Sequence, residues 1–148
     1  MILRHFEVKD VKNLKTYRYR NMTDMQILSM IDDWNKGDCS GRYSEFFSIV
    51  QGGEMVGEIF VSEYTPQSVT VSVYVFAPFR RKGYATFGVK EILKKIAELN
   101  KYKSTFFLVR KDNEAALSFF SKIGYDQKNE FVSSKGQSFY CLKKDLKN

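Results

Sequence analysis

The chain has 148 residues, 43% hydrophobic and 16% aromatic, which is ample for one packed core and too apolar for a disordered chain. Two distant cysteines, Cys39 and Cys141, and a single histidine, His5, cannot build a disulfide framework, a zinc site or histidine-rich metal chemistry. The longest uncharged apolar stretch, Val73 to Phe79, is broken by Pro78 and falls far short of the ~20 residues that cross a bilayer. The first residues turn charged too early for a signal peptide, so a cytoplasmic protein with no membrane partner is expected.

The formal charge is +7, with a pI near 9.3, which taken alone suggests a polyanionic partner. Its distribution changes that reading. Residues 1 to 23 carry six basic and two acidic groups, residues 24 to 63 two basic and eight acidic, residues 64 to 79 none, and residues 80 to 148 sixteen basic and seven acidic. Two ligands of opposite sign would suit such a chain, unless the pattern is only solvated surface.

No repeat, low-complexity tract or linker interrupts the sequence, and we expect a single domain over residues 1–148. Ile2 to Glu7 has strand character. Asp10 to Trp34 is mostly helical, with Ile27, Leu28, Ile31 and Trp34 on one face, and its break into two helices is left open. Phe46 to Val50 and Met55 to Val61 are strand-like around Gln51-Gly52-Gly53-Glu54, a hairpin signal. A turn at Thr65-Pro66-Gln67-Ser68 precedes Val69 to Phe76, where β-branched and aromatic residues dominate an uncharged strand. Ala85, Val89, Ile92, Leu93 and Ile96 then mark an amphipathic helix. Lys103 to Val109 is the next strand, so this strand–helix–strand unit places its two strands in parallel. Asp112 or Asn113 caps a further helix, with Ala116, Phe119, Phe120 and Ile123 facing inward and Gly124 at its left-handed exit. Tyr125 to Val132 and Ser138 to Leu142 close an α/β fold with a mixed sheet.

The junction of the strongest strand and helix reads Val75-Phe76-Ala77-Pro78-Phe79-Arg80-Arg81-Lys82-Gly83-Tyr84-Ala85-Thr86. Backbone N–H groups in a first helical turn lack internal partners and, with the helix dipole, attract phosphate. Gly83 removes a blocking side chain and three cations add attraction. The run is neither GxxxxGK[ST] nor GxGxxG. It resembles the acetyl-CoA signature of the GCN5-related N-acetyltransferase (GNAT) superfamily, [Gln/Arg]-x-x-Gly-x-[Gly/Ala]. A second motif of that superfamily, Asn-x-x-Ala-x-x-Phe-Tyr-x-Lys-x-Gly-Phe, is similar to Asn113-Glu114-Ala115-Ala116-Leu117-Ser118-Phe119-Phe120-Ser121-Lys122-Ile123-Gly124-Tyr125. The resemblance covers roughly residues 46 to 142.

This resemblance implies a mostly antiparallel sheet of about six to seven strands, a central parallel splayed pair and helices on both faces. It also implies acetyl-CoA as cofactor, with the N–H groups of Arg81, Lys82, Gly83, Tyr84, Ala85 and Thr86 on the pyrophosphate and Arg80 nearby. Backbone groups of Val73 and Val75 would meet pantetheine and the thioester, and Asn113, Phe119 and Lys122 would contribute from the second motif. The implied reaction is direct attack of a neutral amine through a tetrahedral intermediate. Two departures stand out. Phe120 replaces the tyrosine that often protonates the leaving thiolate, leaving a water, Ser121 or no acid at all in its place. The strand Val69 to Phe76 has no carboxylate, so Glu63 and Glu58, on the preceding strand, are the candidate general bases.

Trp34, Tyr43 and Phe46 either line an acceptor pocket or belong to the core. Asp32, Asp33, Asp38 and Glu45 would favour a cationic acceptor. Tyr17-Arg18-Tyr19-Arg20 interleaves rings and cations as single-strand nucleic-acid binders do, or is a helix surface, and Cys141 is a buried strand residue. The leading expectation is an N-acetyltransferase acting on a small-molecule or protein amine, with no nucleic acid as partner. The similarity of Gly83-Tyr84-Ala85-Thr86 to ribosomal-protein N-terminal acetyltransferases says little about the acceptor. The alternatives are a CoA-binding sensor on the same fold and a basic nucleic-acid-binding domain. The sequence does not set the oligomeric state.

Overall fold

A computed structural model describes residues 1–37 and 41–146. Cys39 and Asp38 lie outside them. Seven strands and four α-helices alternate in the order β1 (Ile2–Arg4), α1 (Val11–Tyr17), α2 (Asp24–Lys36), β2 (Ser44–Gln51), β3 (Glu54–Thr65), β4 (Ser68–Val75), α3 (Tyr84–Leu99), β5 (Ser104–Arg110), α4 (Glu114–Lys122), β6 (Gln127–Val132) and β7 (Ser138–Asp145). The strands form a mixed sheet in the order β1-β2-β3-β4-β5-β7-β6, with β4 and β5 parallel. This is the expected α/β class. Contacts divide the chain into two compact units: Met1–Ser62 with Val73–Lys95, and Glu63–Ser72 with the stretch from Ile96 onward. Among the described residues, no helix is long and apolar enough to cross a membrane.

In the first unit, β2 and β3 are joined by a hairpin whose Gly52 and Gly53 both take positive φ, 60° and 81°, as a tight turn compatible with strand twist requires. The expected helical region breaks at residues 18–23. Thr23 starts α2 by accepting from the Gln26 N–H while the Gln26 side chain returns to the Thr23 N–H, a capping box. Leu14, Ile27 and Ile31 pack with Phe6, Met55 and Phe76. The β2–β3 register shifts between Ile49 and Val50: Ile49 faces Gly57, and Val50 faces Met55. The extra residue, Val56, reverses the alternation of the strand. Met55 and Glu58 therefore share the face covered by α1 and α2, whereas Gly57 and Ile59 turn toward Ile49, and Ile59 and Ile49 meet Gly88 of α3.

The second unit is built on β5, flanked by the start of β4 (Ser68–Val71 alongside Ser104–Phe107) and antiparallel β7, with β6 beyond it. Asn113, rather than Asp112, caps α4: its Oδ1 accepts from the Ala116 N–H at 3.1 Å. Gly124 leaves the helix at φ 98°. Tyr125 precedes β6 instead of opening it. Its ring is fully buried and its hydroxyl bonds to Thr105. Cys141 is half-buried on β7.

Gly57 marks a close backbone approach, a common reason for glycine within a strand. A Cβ there would lie 2.6 Å from the Tyr74 carbonyl oxygen and 3.1 Å from the Val75 Cα. Gly57→Ala is expected to destabilise the protein by about 1–3 kcal/mol through overpacking, measured as a lower urea midpoint with unchanged m-value.

Candidate active site

The end of β4 and the start of α3 carry the first motif, both within the first unit. Val73, Tyr74 and Val75 are half-buried at the end of the strand. Phe76 follows, its N–H donating to the Val56 carbonyl at 2.9 Å. One 3-10 turn, Ala77–Phe79, leads to Arg80. The Arg80 side chain turns back: its Nε donates to the Val75 carbonyl at 2.9 Å, and its guanidinium lies 5.3 Å from the Tyr74 ring centre. Arg80 thus braces the loop against the strand.

The next residues take two left-handed steps, Arg81 at φ 65° and Gly83 at φ 85°. The first α-helical bond runs from the Phe87 N–H to the Gly83 carbonyl at 3.0 Å, so the N–H groups of Tyr84, Ala85 and Thr86 have no acceptor within the helix. Arg81, Lys82, Gly83 and Ala85 are exposed. A Cβ on Gly83 would meet nothing within 4 Å; the glycine is needed here for its backbone conformation and leaves the N–H groups approachable. No acidic residue stands in the first turn of α3. An anion is the matching ligand for this geometry, and the residues present fit a pyrophosphate.

Beneath the end of α1 lies the most perturbed carboxylate of the first unit. Glu58 is 3% exposed. Its Oε1 is 2.7 Å from Arg18 Nε and accepts from the Tyr19 hydroxyl at 3.3 Å. The Arg18 guanidinium also lies 3.6 Å from the centre of the Tyr74 ring and donates to the Tyr19 hydroxyl at 3.2 Å. Burial pushes the Glu58 carboxyl above its ordinary range; the Arg18 charge and the Tyr19 hydroxyl oppose that shift. The structure therefore brings Glu58 next to Tyr74 of β4, the strand on which no carboxylate occurs.

The run Tyr17-Arg18-Tyr19-Arg20 is not a helix surface. Tyr17 packs on Phe76 and Phe79, Arg18 and Tyr19 engage Glu58, and only Arg20 stays exposed, its Nε donating to the Thr16 carbonyl. Phe46 stacks between Trp34 and Phe60, with ring centres 5.6 and 5.2 Å away. These half-buried rings flank the Glu58 face and belong to the margin of the core. Asp32 pairs with Lys36, and Glu45 accepts from Tyr43 and bonds to His5.

The remaining predicted residues lie in the second unit. Glu63 accepts from the Tyr102 hydroxyl at 2.6 Å and from Lys101 Nζ at 3.0 Å, so its carboxylate is held by two donors. Asn113 uses its side-chain oxygen as a cap, which leaves the amide's donor half for any ligand. Phe119 is half-buried and edge-on to Phe120, and Lys122 is exposed. Phe120 itself is 6% exposed and wedged between Phe107 and Tyr125. Burial pushes the Tyr125 hydroxyl up to about 12, so neither ring offers a labile proton. Sequence reasoning missed Arg18, Tyr19 and Tyr74. The interleaved run was the available signal, but its partner, Glu58, is 40 residues away from Arg18.

The chain matches the model of the FR47-like protein family over residues 46–132, more than half its length. No match is found among curated proteins. Among solved structures, it is similar to a ribosomal-protein-alanine N-acetyltransferase from Brucella melitensis (16% identity, TM-score 0.76, covering 99% of this chain and 100% of that one). It is also similar to Mycobacterium smegmatis RimJ in complex with CoA-disulfide (15% identity, TM-score 0.80, 97% and 80%). A third similar structure is a spermidine N-acetyltransferase SpeG chimera from Vibrio cholerae and hSSAT (13% identity, TM-score 0.77, 98% and 96%). At such identities these likenesses establish the fold. The family match places the chain in the FR47-like family, on the fold of the N-acetyltransferases named above.

Proposed function

We propose that this protein is a cytoplasmic N-acetyltransferase that moves the acetyl group of acetyl-CoA onto a primary amine, residues 1–148 acting as one acetyltransferase domain. The observation that carries this reading is the main-chain cradle at Arg81 to Thr86, with its two left-handed residues and unpartnered first-turn N–H groups. The cradle would hold the pyrophosphate, with Arg81 and Lys82 adding charge. Backbone groups of Val73 and Val75 would bind the pantetheine arm, and Asn113, Phe119 and Lys122 are further proposed contacts. Acetyl-CoA supplies the activated acyl group.

Glu58 is the proposed general base, in preference to Glu63, whose carboxylate is held by Lys101 and Tyr102. Its burial raises its proton affinity toward that of a useful base, and Arg18 keeps its ionised form accessible. The half-buried rings of Trp34, Phe46 and Tyr74 beside it suit the stem of an amine, small or peptide-borne. With Phe120 packed and Tyr125 held at high pKa, neither of these two rings protonates the departing thiolate.

Calorimetric titration with acetyl-CoA and CoA tests the cradle. Gly83→Glu is expected to weaken binding at least about 100-fold, since bulk, a disfavoured left-handed φ and negative charge all oppose the pyrophosphate. Unchanged affinity in a folded variant would remove the site. For the base, Glu58→Gln is expected to lower kcat/KM by about 10²–10⁴-fold while leaving CoA affinity intact. Activity requires the ionised carboxylate, so it rises with pH through the Glu58 pKa. Arg18→Gln removes a charge that lowers that pKa and should move the acidic limb of kcat/KM to higher pH; an unmoved limb contradicts the assignment.

A further inference from the structure

Neither oxygen of Glu58 is open to an acceptor in the free protein. Oε2 is buried away from any ligand. Oε1 is covered by Arg18, whose Nε lies 2.7 Å away, and by the Tyr19 hydroxyl. Of the two charged side chains Arg18 is the outer one, 28% exposed against 4% for the carboxylate. Its guanidinium stands over the Tyr74 ring, 3.6 Å from the centre, with the Tyr19 ring centre 5.5 Å away. A carboxylate beside aromatic faces is an arrangement that recognises an organic cation, and here the chain supplies the cation itself. The Arg18 backbone is fixed by its N–H bond to the Leu14 carbonyl at 3.0 Å, so a swing of the side chain alone uncovers Oε1.

We propose that Arg18 occupies the subsite of the acceptor's ammonium and yields it to that ammonium, which makes the site selective for a cationic amine and leaves Oε1 as the oxygen that takes the proton. The inference rests on the reading of Glu58 as general base. A buried carboxylate stripped of its partner is strongly disfavoured, so a neutral ligand such as an alcohol does not draw Arg18 away. An ammonium does, because it donates to Oε1 and meets the Tyr74 ring as the guanidinium did; one cation replaces another and the carboxylate stays paired. The exchange also supplies the proton. Arginine does not deprotonate in proteins, whereas an ammonium in the same place carries protons that transfer. Departure of Arg18 removes a charge that lowers the proton affinity of Glu58, so the carboxylate becomes a stronger base once the acceptor has arrived. In the step, one N–H bond of the ammonium breaks, its electron pair stays on nitrogen, and an O–H bond forms at Oε1. The proton then passes to a solvent base. The product amide is uncharged and does not hold the subsite against the returning Arg18.

The test titrates the full chain with n-butylammonium, and with n-butanol as its neutral counterpart, above neutral pH to keep Glu58 ionised. The Arg18 Nε–Hε signal in ¹H–¹⁵N NMR spectra, identified by its loss in Arg18→Ala, should move toward the position of a free arginine as n-butylammonium saturates and stay in place with n-butanol. Arg18→Ala should bind n-butylammonium about 10-fold more tightly than the parent, since no internal cation then competes, with CoA affinity unchanged as the check that the variant is folded. Arg18→Lys, which keeps a competing cation, should gain little of this. An ammonium that fails to bind, or that binds with the Arg18 signal unmoved, would overturn the exchange, as would an Arg18→Ala variant that binds no more tightly than the parent. These readouts need no turnover, so they stand apart from the base reading. A Glu58→Gln variant with the parent's rate profile would bring down that reading, and the proton-accepting role of Oε1 with it.

Discussion

The contact on which the site depends is the approach of β4 to Gly57. With no side chain on Gly57, the Tyr74 carbonyl and the Val75 Cα come close to β3, and the end of β4 settles beside Glu58. The Tyr74 ring then forms the floor under the Arg18 guanidinium, and the Val75 carbonyl receives Arg80. Strand, carboxylate and the loop at residues 80–86 are thereby registered to one another through short contacts. The bulge at Val56 adds the other half of the arrangement by turning Glu58 and Met55 to the same face of the sheet.

Those contacts also settle a conflict in the electrostatics. Burial raises the proton affinity of the Glu58 carboxyl, and the Arg18 cation and the Tyr19 hydroxyl oppose that shift. The aromatic face of Tyr74 contributes by holding the guanidinium without adding a second negative charge. Phe120, by contrast, has joined the apolar packing around Phe107.

Local signals account for most of what was legible beforehand. The double glycine of the β2–β3 hairpin, the uncharged alternation of β4, the apolar stripe of α3 and Gly83 each act within a few residues, and each element formed where those signals lay. The cap of α4 was narrowed to two adjacent residues because Asp and Asn have nearly equal cap strength. What stayed hidden depends on long-range register. The interleaved Tyr17 to Arg20 run looked like surface because arginine is usually exposed, and only its distant partner Glu58 draws it inward. The bulge left no trace in the alternation of β3, so the faces of Glu58 and Met55 could not be assigned in advance.

The loop after β4 and the Glu58 cluster differ in what they are made of. The first works through main-chain N–H groups held by backbone conformation, and the second through side chains donated by β3, β4 and the segment after α1. Most substitutions alter the second more readily than the first, because replacing a side chain does not delete an N–H; Gly83, whose φ of 85° disfavours any side chain, is the exception. Divergence within such a scaffold can therefore reshape the side-chain cluster one residue at a time while the main-chain cradle stays the same.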